Sequence, residues 1–107
     1  MSQTLIRIGK PIDNGDVRIS DHGYDELSSE NILVAELIDG VKKGVVVEDY
    51  PDYAKGPCVL VLQSSFDGRP VHVVWGIPKG KSGPAVLVTA YRPTKDKWSD
   101  DFLRRKR

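Results

Sequence analysis

The segment that most constrains the fold covers residues 58–76, where two runs of β-branched and apolar residues flank a short turn. Its Asp67-Gly68 pair readily adopts the positive φ angles of a tight turn, and Pro70 begins the second run, where a missing N–H disturbs the ladder least. This pattern predicts a β-hairpin. A third apolar run covers residues 85–91 after a loop rich in Gly and Pro, so we expect three strands in an antiparallel meander.

Two helices are predicted before this meander. A short helix over about residues 21–27 would begin at Ser20 or Asp21, whose side-chain oxygens can accept hydrogen bonds from the free N–H groups of a first helical turn. A longer second helix would begin at Ser28 or Ser29 for the same reason.

The second predicted helix has one apolar face, since hydrophobic residues recur at positions i, i+3, i+4 and i+7. These residues are Val34, Leu37, Ile38 and Val41. Gly44 would end the helix, and the β-branched run over residues 45–49 predicts a fourth strand. The order of elements indicates an α+β domain, with two N-terminal helices packed on one face of a four-stranded antiparallel sheet.

The two ends of the chain carry weaker patterns. Residues 5–8 could form a short edge strand or an ordered arm, and a brief β-branched run covers residues 17–19. Residues 98–103 could form a short helix that places Trp98, Phe102 or both against the body of the protein. The basic residues that follow are predicted to be frayed.

Composition and length favour one ordinary globular domain over residues 1–107, which we expect to be cytoplasmic. Hydrophobic residues make up 39% and charged residues 29% of the 107 positions. No apolar run approaches the roughly 20 residues that span a bilayer, so no membrane partner is expected. The single cysteine, Cys58, excludes an intramolecular disulfide and is predicted to be a small buried hydrophobic residue.

Charge is distributed unevenly along the chain. Residues 1–53 contain five Lys/Arg and eleven Asp/Glu, whereas residues 54–107 contain eleven and four. The basic half could present a face that binds a polyanion such as RNA. Charge alone slightly favours two simpler alternatives, in which the acidic and basic halves pair with each other or the basic tail is only solvated. That tail consists of Arg104, Arg105, Lys106 and Arg107.

His72 is the only strong acid–base group within the three strands of the predicted meander, so the functional question depends on what its side chain faces. By alternation, His72 and Val74 would point to one side of the sheet. The opposite side, toward the helices, would hold Val71, Val73 and Trp75. If the strands pair without a bulge, the open face with His72 would also hold Leu87, Thr89 and Tyr91.

Two arginines flank these strands, because Arg69 precedes one and Arg92 follows the other. An imidazole can give or take a proton near neutral pH, and a guanidinium can stabilise the charge that develops on a phosphate. This combination suits RNA cleavage by the 2′-hydroxyl of the RNA itself. A hydrogen-bonded structural histidine is the competing interpretation of His72.

No cofactor or metal ion is expected. With two histidines and one cysteine, the sequence has no metal-ligand spacing. It also lacks a phosphate-binding loop, a dinucleotide fingerprint and a Ser-His-Asp signature.

The order of several short motifs over about residues 17–98 resembles the DUF4258 family of small bacterial domains, with residues 99–107 as an added basic tail. These motifs are Ile19-Ser20-Asp21-His22, Ile32, Glu48-Asp49-Tyr50-Pro51, Asp67-Gly68-Arg69-Pro70-Val71-His72-Val73-Val74, Val88-Thr89-Ala90-Tyr91-Arg92-Pro93 and Trp98. The family is similar to RelE-like toxins, which fold as helices followed by an antiparallel sheet and cleave RNA without a metal ion. The resemblance therefore implies RNA and a cognate antitoxin protein as partners.

The resemblance also implies which residues form the site. The histidines His22 and His72 become acid–base candidates, and the arginines become phosphate stabilisers. The complete candidate set is His22, His72, Arg69, Arg92, Thr89 and Tyr91.

At two positions of the first helix the sequence departs from this family, which has arginines where this chain has Glu26 and Glu30. A carboxylate facing the substrate would repel RNA phosphates. The alternative is therefore a non-catalytic module that binds a protein or a nucleic acid and descends from such a nuclease.

Overall fold

The computed structural model describes residues 2–106, in which helices cover one face of a mixed β-sheet. The helices are α1 (Gln3–Asp13), α2 (Asp21–Ser29) and α3 (Val34–Gly40), and α3 continues into a turn of 3-10 helix over Val41–Lys43. The strands are β1 (Val17–Ile19), β2 (Val45–Tyr50), β3 (Cys58–Ser64), β4 (Pro70–Gly76) and β5 (Ala85–Tyr91). The predicted α+β class is confirmed.

The sheet has the strand order β1-β5-β4-β3-β2. Strands β2 to β5 form the predicted antiparallel meander. The prediction of four strands was incomplete, because β1 pairs with β5 in parallel and makes the sheet five-stranded and mixed. Backbone hydrogen bonds from Ala85 N to Asp16 O and from Ser20 N to Leu87 O flank this pairing. A run of three residues carries no pattern that could have identified its partner strand.

The first helix overturns the prediction of an edge strand or arm at residues 5–8. Ser2 caps α1, since its hydroxyl accepts from the backbone N–H of Leu5 at 3.1 Å. Ile8 and Ile12, one helical turn apart, are buried in the core. The helical spacing of these buried residues outweighs the local β-propensity of the isoleucines.

The second and third helices confirm one predicted cap and correct another. The Ser20 hydroxyl accepts from the N–H of Gly23 at 2.9 Å, as a helix N-cap does. Ser28 and Ser29 were expected to begin the next helix, but they form the last turn of α2. The start of α3 is instead held by Glu36, whose carboxylate accepts from the N–H of Leu33 at 2.7 Å.

The predicted apolar face of the longer helix is confirmed. Leu37 and Val41 are buried, and Val34 and Ile38 pack against the core. Gly44 ends the 3-10 turn, as predicted for the end of the helix.

The core lies between the helices and one face of the sheet, called here the inner face. Val71, Val73 and Trp75 of β4 have no solvent exposure there, as alternation predicted. The buried side chain of Gln63 links the layers, because it donates to the carbonyl of Leu37 and accepts from the indole N–H of Trp75, each at 2.8 Å. The opposite side, which carries His72, is called the outer face.

Two register shifts change which side chains reach the outer face. In β5, Val74 pairs with Thr89 and Trp75 with Leu87, so Val88 is an extra residue. Leu87 is consequently buried on the inner face, which corrects its predicted place beside Thr89 and Tyr91. In β2, Val46 pairs with Val61 and Glu48 with Leu60, so Val47 is likewise extra. Bulges of this kind re-aim the side chains that follow them.

The C-terminal segment, residues 94–106, crosses the outer face and is called the strap. It folds back on itself through a bridge between Trp98 and Arg105 and a hydrogen bond from Lys106 N to Lys97 O at 2.9 Å. The helix predicted at residues 98–103 was wrong, because Phe102 adopts a φ of 61° that a helix does not allow.

Two other predictions concern the strap. Trp98 does pack against the body, with 3% of its surface exposed. Residues 104–106 are not frayed, because their backbone and the Arg105 side chain are hydrogen-bonded, whereas Arg107 lies outside the described residues. None of the helices in residues 2–106 combines the length and apolar character needed to cross a membrane.

Candidate functional site

His72 lies on the outer face with no solvent-exposed surface. Its ring meets Tyr91 at 5.3 Å and Trp98 at 4.3 Å between centroids, both in edge-to-face geometry. The predicted sharing of one face by His72, Thr89 and Tyr91 is confirmed by the pairing of β4 with β5. The prediction that this face is open at His72 was wrong, because the strap covers the ring.

Both ring nitrogens of His72 are hydrogen-bonded. Nε2 lies 2.8 Å from the carbonyl oxygen of Phe102, so the N–H sits on Nε2 and donates to that carbonyl. Nδ1 then accepts from the hydroxyl of Tyr91 at 3.1 Å. Burial lowers the pKa of His72 below its usual 6.5, so the imidazole is neutral at pH 7.

A surface ion pair lies beside this ring. Arg105 donates from Nε and Nη2 to the two carboxylate oxygens of Glu48, at 2.8 and 3.0 Å. The Tyr50 hydroxyl donates to the same carboxylate at 2.7 Å, and the guanidinium lies 4.7 Å from the ring centre of Trp98. The hydrogen bond from Arg105 lowers the pKa of Glu48, while Glu48 raises the pKa of Tyr50.

These side chains form the strap cluster, which consists of Glu48, Tyr50, His72, Tyr91 and Arg105. Burial raises the pKa of Tyr91, and the charges of Glu48 and Arg105 both influence the pKa of His72. The cluster thus combines groups that transfer protons with a cation that binds anions. In this conformation Glu48, Tyr50 and Arg105 meet solvent, whereas His72 does not.

The structure does not bring His22 to His72. His22 lies at the start of α2, is largely exposed and has its Nε2 3.1 Å from a carboxylate oxygen of Glu26. Because α2 packs on the inner face through Gly23 and Leu27, the two histidines lie on opposite sides of the sheet.

Arg92 is tied to the β3–β4 turn. Its Nη1 donates to the Ser65 hydroxyl at 2.9 Å and to the carbonyls of Arg69 and Pro70 at 3.3 and 3.2 Å. The side chain is only 16% exposed, and its Nε lies 3.9 Å from a carboxylate oxygen of Glu30. Glu30, one of the two glutamates that stand where the family has arginines, therefore approaches Arg92 rather than a substrate surface.

The remaining candidates are dispersed. Arg69 is exposed and pairs with Asp67 at 2.7 Å, while Thr89 is half-buried beside Val74 on the outer face. The catalytic roles assigned to all six candidates, His22, His72, Arg69, Arg92, Thr89 and Tyr91, stay predictions.

Sequence reasoning overlooked Glu48, Tyr50 and Arg105 as site residues. A signal for the first two was present, because they lie two positions apart in a strand and belong to one of the motifs that carry the family resemblance. Arg105 had no such signal, since its contact with Glu48 joins residues 57 positions apart.

An apolar groove of about 510 Å³ occupies the outer face beside the strap. Its floor includes Val74, Val86, Val88 and Cys58. Tyr50, Tyr53 and Lys55 line it as well, and the two tyrosines are exposed. Cys58 is half-buried rather than fully buried as predicted, and this burial raises the pKa of its thiol.

Within residues 2–106, no three side chains of His, Cys, Asp or Glu are grouped so that they could hold a metal ion. The groups that the site does offer are hydrogen-bonding, acid–base and aromatic side chains together with cations.

Comparison with protein families matches the chain to a family described as a domain of unknown function (DUF4258), over residues 19–92. Comparisons with curated proteins and with solved structures give no match. The matched region contains Glu48, His72 and Tyr91 but ends before the strap, so Trp98 and Arg105 lie outside it.

Proposed function

Given that the chain belongs to the DUF4258 family, a family of domains of unknown function, we propose that it is a non-catalytic module that binds single-stranded RNA. The observation that carries this proposal is the outer-face groove, where exposed tyrosines lie beside lysines. Single-stranded nucleic acids bind to such surfaces through base stacking and phosphate attraction.

The aromatic part of the surface is supplied by Tyr50 and Tyr53, whose exposed fractions are 44% and 54%. Tyr50 ends β2 and Tyr53 lies in the connection to β3, and exposed rings of this kind offer stacking platforms that accept any base. The apolar floor of the groove can cover the face of a base, and its volume falls within the roughly 300–1,000 Å³ of ordinary ligand clefts.

The cationic part consists of lysines at this groove and of basic residues on the strap. Lys55 lines it, and the backbone N–H of Lys79 donates to the Lys55 carbonyl at 3.1 Å, so the two lysines are neighbours. The strap adds Lys97, Arg104 and Lys106. None of these five forms an ion pair with another residue of the described chain. Asp96 lies near Lys97 and Lys106, and Asp101 lies near Arg104, so these three strap cations offer phosphates a partly compensated charge.

The positions of the histidines favour binding over cleavage. His72 has no exposed surface, His22 lies on the other side of the sheet, and Arg92 is largely buried with its Nη1 donating to Ser65. A general acid or base must come within about 3 Å of the proton that it transfers, directly or through one water. In this conformation the strap prevents that approach to His72.

The test is fluorescence anisotropy of a labelled uridine-rich RNA oligonucleotide with the full chain and with Tyr53→Ala. Loss of one stacked base should weaken binding by at least about fivefold, since stacking contributes roughly 1–3 kcal/mol per base. Tyr24→Ala is the matched control, because Tyr24 is 62% exposed but lies on α2. Equal affinities of the two variants, or no binding by the wild-type chain, would exclude the proposal.

A second candidate function, metal-independent RNA cleavage of the RelE-like type, is favoured by one observation. His72 and Tyr91 are hydrogen-bonded to each other, with the Glu48–Arg105 pair beside them, so acid–base groups and a phosphate-binding cation lie together. A cognate antitoxin is proposed as a partner only in this case.

For this candidate, the strap would have to leave the outer face. Incubating RNA with the wild-type chain and with Trp98→Ala, each with a chelator present, tests it. Cleavage that appears in Trp98→Ala and is lost on adding His72→Ala would support the nuclease. Intact RNA in every sample would leave the binding module as the only candidate.

A further inference from the structure

The ion pair between Glu48 and Arg105 lies next to the groove, and we infer that Glu48 is an internal competitor of RNA for Arg105. In this inference, which rests on the proposed RNA binding, a phosphate of the bound strand replaces the Glu48 carboxylate on the Arg105 guanidinium. Glu48 therefore sets how tightly the outer face holds RNA.

The geometry of the pair fits such an exchange. Arg105 contacts Glu48 through two parallel N–H···O bonds of 2.8 and 3.0 Å. Carboxylate and phosphate oxygens accept from the guanidinium fork in the same bidentate manner. The Arg105 side chain is 63% exposed, so a phosphate can approach it from solvent while the carboxylate is still bound.

Two neighbours keep Arg105 in place when its partner changes. Its guanidinium lies on the ring of Trp98, at 4.7 Å from the centroid, and this contact does not depend on Glu48. The strap bridge between Trp98 and Arg105 fixes the backbone beneath the side chain. Arg105 would thus present its donors toward the outer face in either state.

Tyr50 connects this pair to the groove. Its hydroxyl donates to Glu48 at 2.7 Å, while its residue lines the apolar groove. A base stacked on Tyr50 would therefore carry its phosphate near the carboxylate that Arg105 now holds. Adjacent base and phosphate positions are what a single nucleotide requires.

The substitution Glu48→Gln distinguishes competition with RNA from a purely structural role of the ion pair. Glu48→Gln removes the competing charge but keeps an oxygen that can accept from Tyr50 and Arg105. If Glu48 competes with RNA, the variant binds RNA more tightly, by up to about fivefold for an exposed pair. If the pair only anchors the strap, affinity falls or does not change.

The matched control is Asp13→Asn. Asp13 lies on α1 and pairs with Lys42 at 2.7 Å, so this variant changes the net charge equally and also frees a cation, but on the helical side. We expect Glu48→Gln to exceed Asp13→Asn in affinity and to show a steeper salt dependence, by roughly 0.7 in the logarithmic slope for one added phosphate contact. Equal affinities for the two variants would overturn the inference.

A measurement on the wild-type chain covers the case in which Glu48→Gln does not fold. The ¹⁵N resonance of the Arg105 Nε–H should shift when the labelled protein is saturated with RNA, and an unchanged resonance would exclude the exchange. If the wild-type chain binds RNA but neither effect is seen, the exchange is wrong and RNA binding stands. If neither the wild-type chain nor Glu48→Gln binds RNA, the proposed function itself fails.

Discussion

The imidazole of His72 is accommodated in its neutral form, since it donates to the Phe102 carbonyl and accepts from Tyr91. Three other groups that carry charge or titrate act on it: Glu48 from β2, Tyr91 from β5 and Arg105 from the strap. Burial is the largest effect on this histidine and lowers its pKa below 6.5. The unfolded chain therefore binds this proton at a higher pH than the folded chain does.

This difference predicts how stability depends on pH. As pH falls through 6.5, the unfolded state gains a proton that the folded state resists, so the free energy of unfolding decreases by up to about 1.4 kcal/mol per pH unit. Above pH 6.5 this contribution is constant. Urea denaturation at several pH values from about 7.5 to about 5 measures this pH dependence of the free energy of unfolding. The range brackets the unperturbed histidine pKa of about 6.5.

His72→Gln should flatten this dependence, whereas the control His22→Gln should leave it intact, because His22 is exposed on α2. Glu48 does not interfere in this range. Its lowered pKa gives stability that is present above its ordinary value of 4.5 and is lost only at lower pH. A slope that survives in His72→Gln would contradict the assignment to His72.

Alternation along β4 predicted the face of His72 and its proximity to Tyr91, because a period of two fixes these directions locally. The burial of His72 could not be predicted in the same way. Phe102 and Trp98, which cover the ring, lie in a segment without regular periodicity, and they contact His72 across 30 and 26 positions of the chain.

At the scale of elements, Gln63 joins α3 to the sheet. Its amide satisfies the Leu37 carbonyl and the Trp75 indole N–H within the core. Gln63→Leu fills a similar volume but leaves both groups without a partner. We expect a loss of about 2–4 kcal/mol in the free energy of unfolding, since each unsatisfied buried group costs roughly 1–3 kcal/mol.

Chemical denaturation checks this value, with Gln3→Leu as the control because Gln3 is exposed on α1. A loss of less than about 0.5 kcal/mol, the usual range of surface substitutions, would mean that the amide does not hold the layers together.

Helix boundaries were the least predictable part of the elements. The serines at positions 28 and 29 have the right chemistry for an N-cap, but Glu36 supplies the hydrogen bond to the start of α3 from within the helix. The same carboxylate accepts from the N–H of Phe66 at 2.6 Å in the β3–β4 turn. Because this second contact is made across the fold, local capping rules could not reveal it.

For the whole molecule, the uneven charge of the sequence is partly paired within the fold. Arg92 and Arg105 of the basic half approach Glu30 and Glu48 of the acidic half. The strap carries five lysines and arginines together with three aspartates. Pairing between the two halves, which charge alone slightly favoured, is therefore observed at these two contacts, and the strap keeps an excess of positive charge.

A chain that ends at Leu103 tests the basic tail as a unit, because it lacks Arg105 and the three other cations of the tail. RNA binding should weaken for all sequences alike, and the logarithmic salt dependence should become shallower by roughly 0.7 for each lost phosphate contact. Anisotropy titrations at two salt concentrations provide both quantities. Unchanged affinity and slope would show that the tail does not contact RNA.

The extra residue in β2 determines which way Glu48 points. If β2 paired with β3 without a bulge, Val47 would lie opposite Leu60 and Glu48 opposite Val59, which is fully buried in the core. The carboxylate would then face the hydrophobic interior, and Arg105 would have no counter-ion on the surface. Because Val47 is left unpaired, the alternation of β2 is reversed after Val46, and a carboxylate that would destabilise the core is placed on the surface, where it pairs with Arg105.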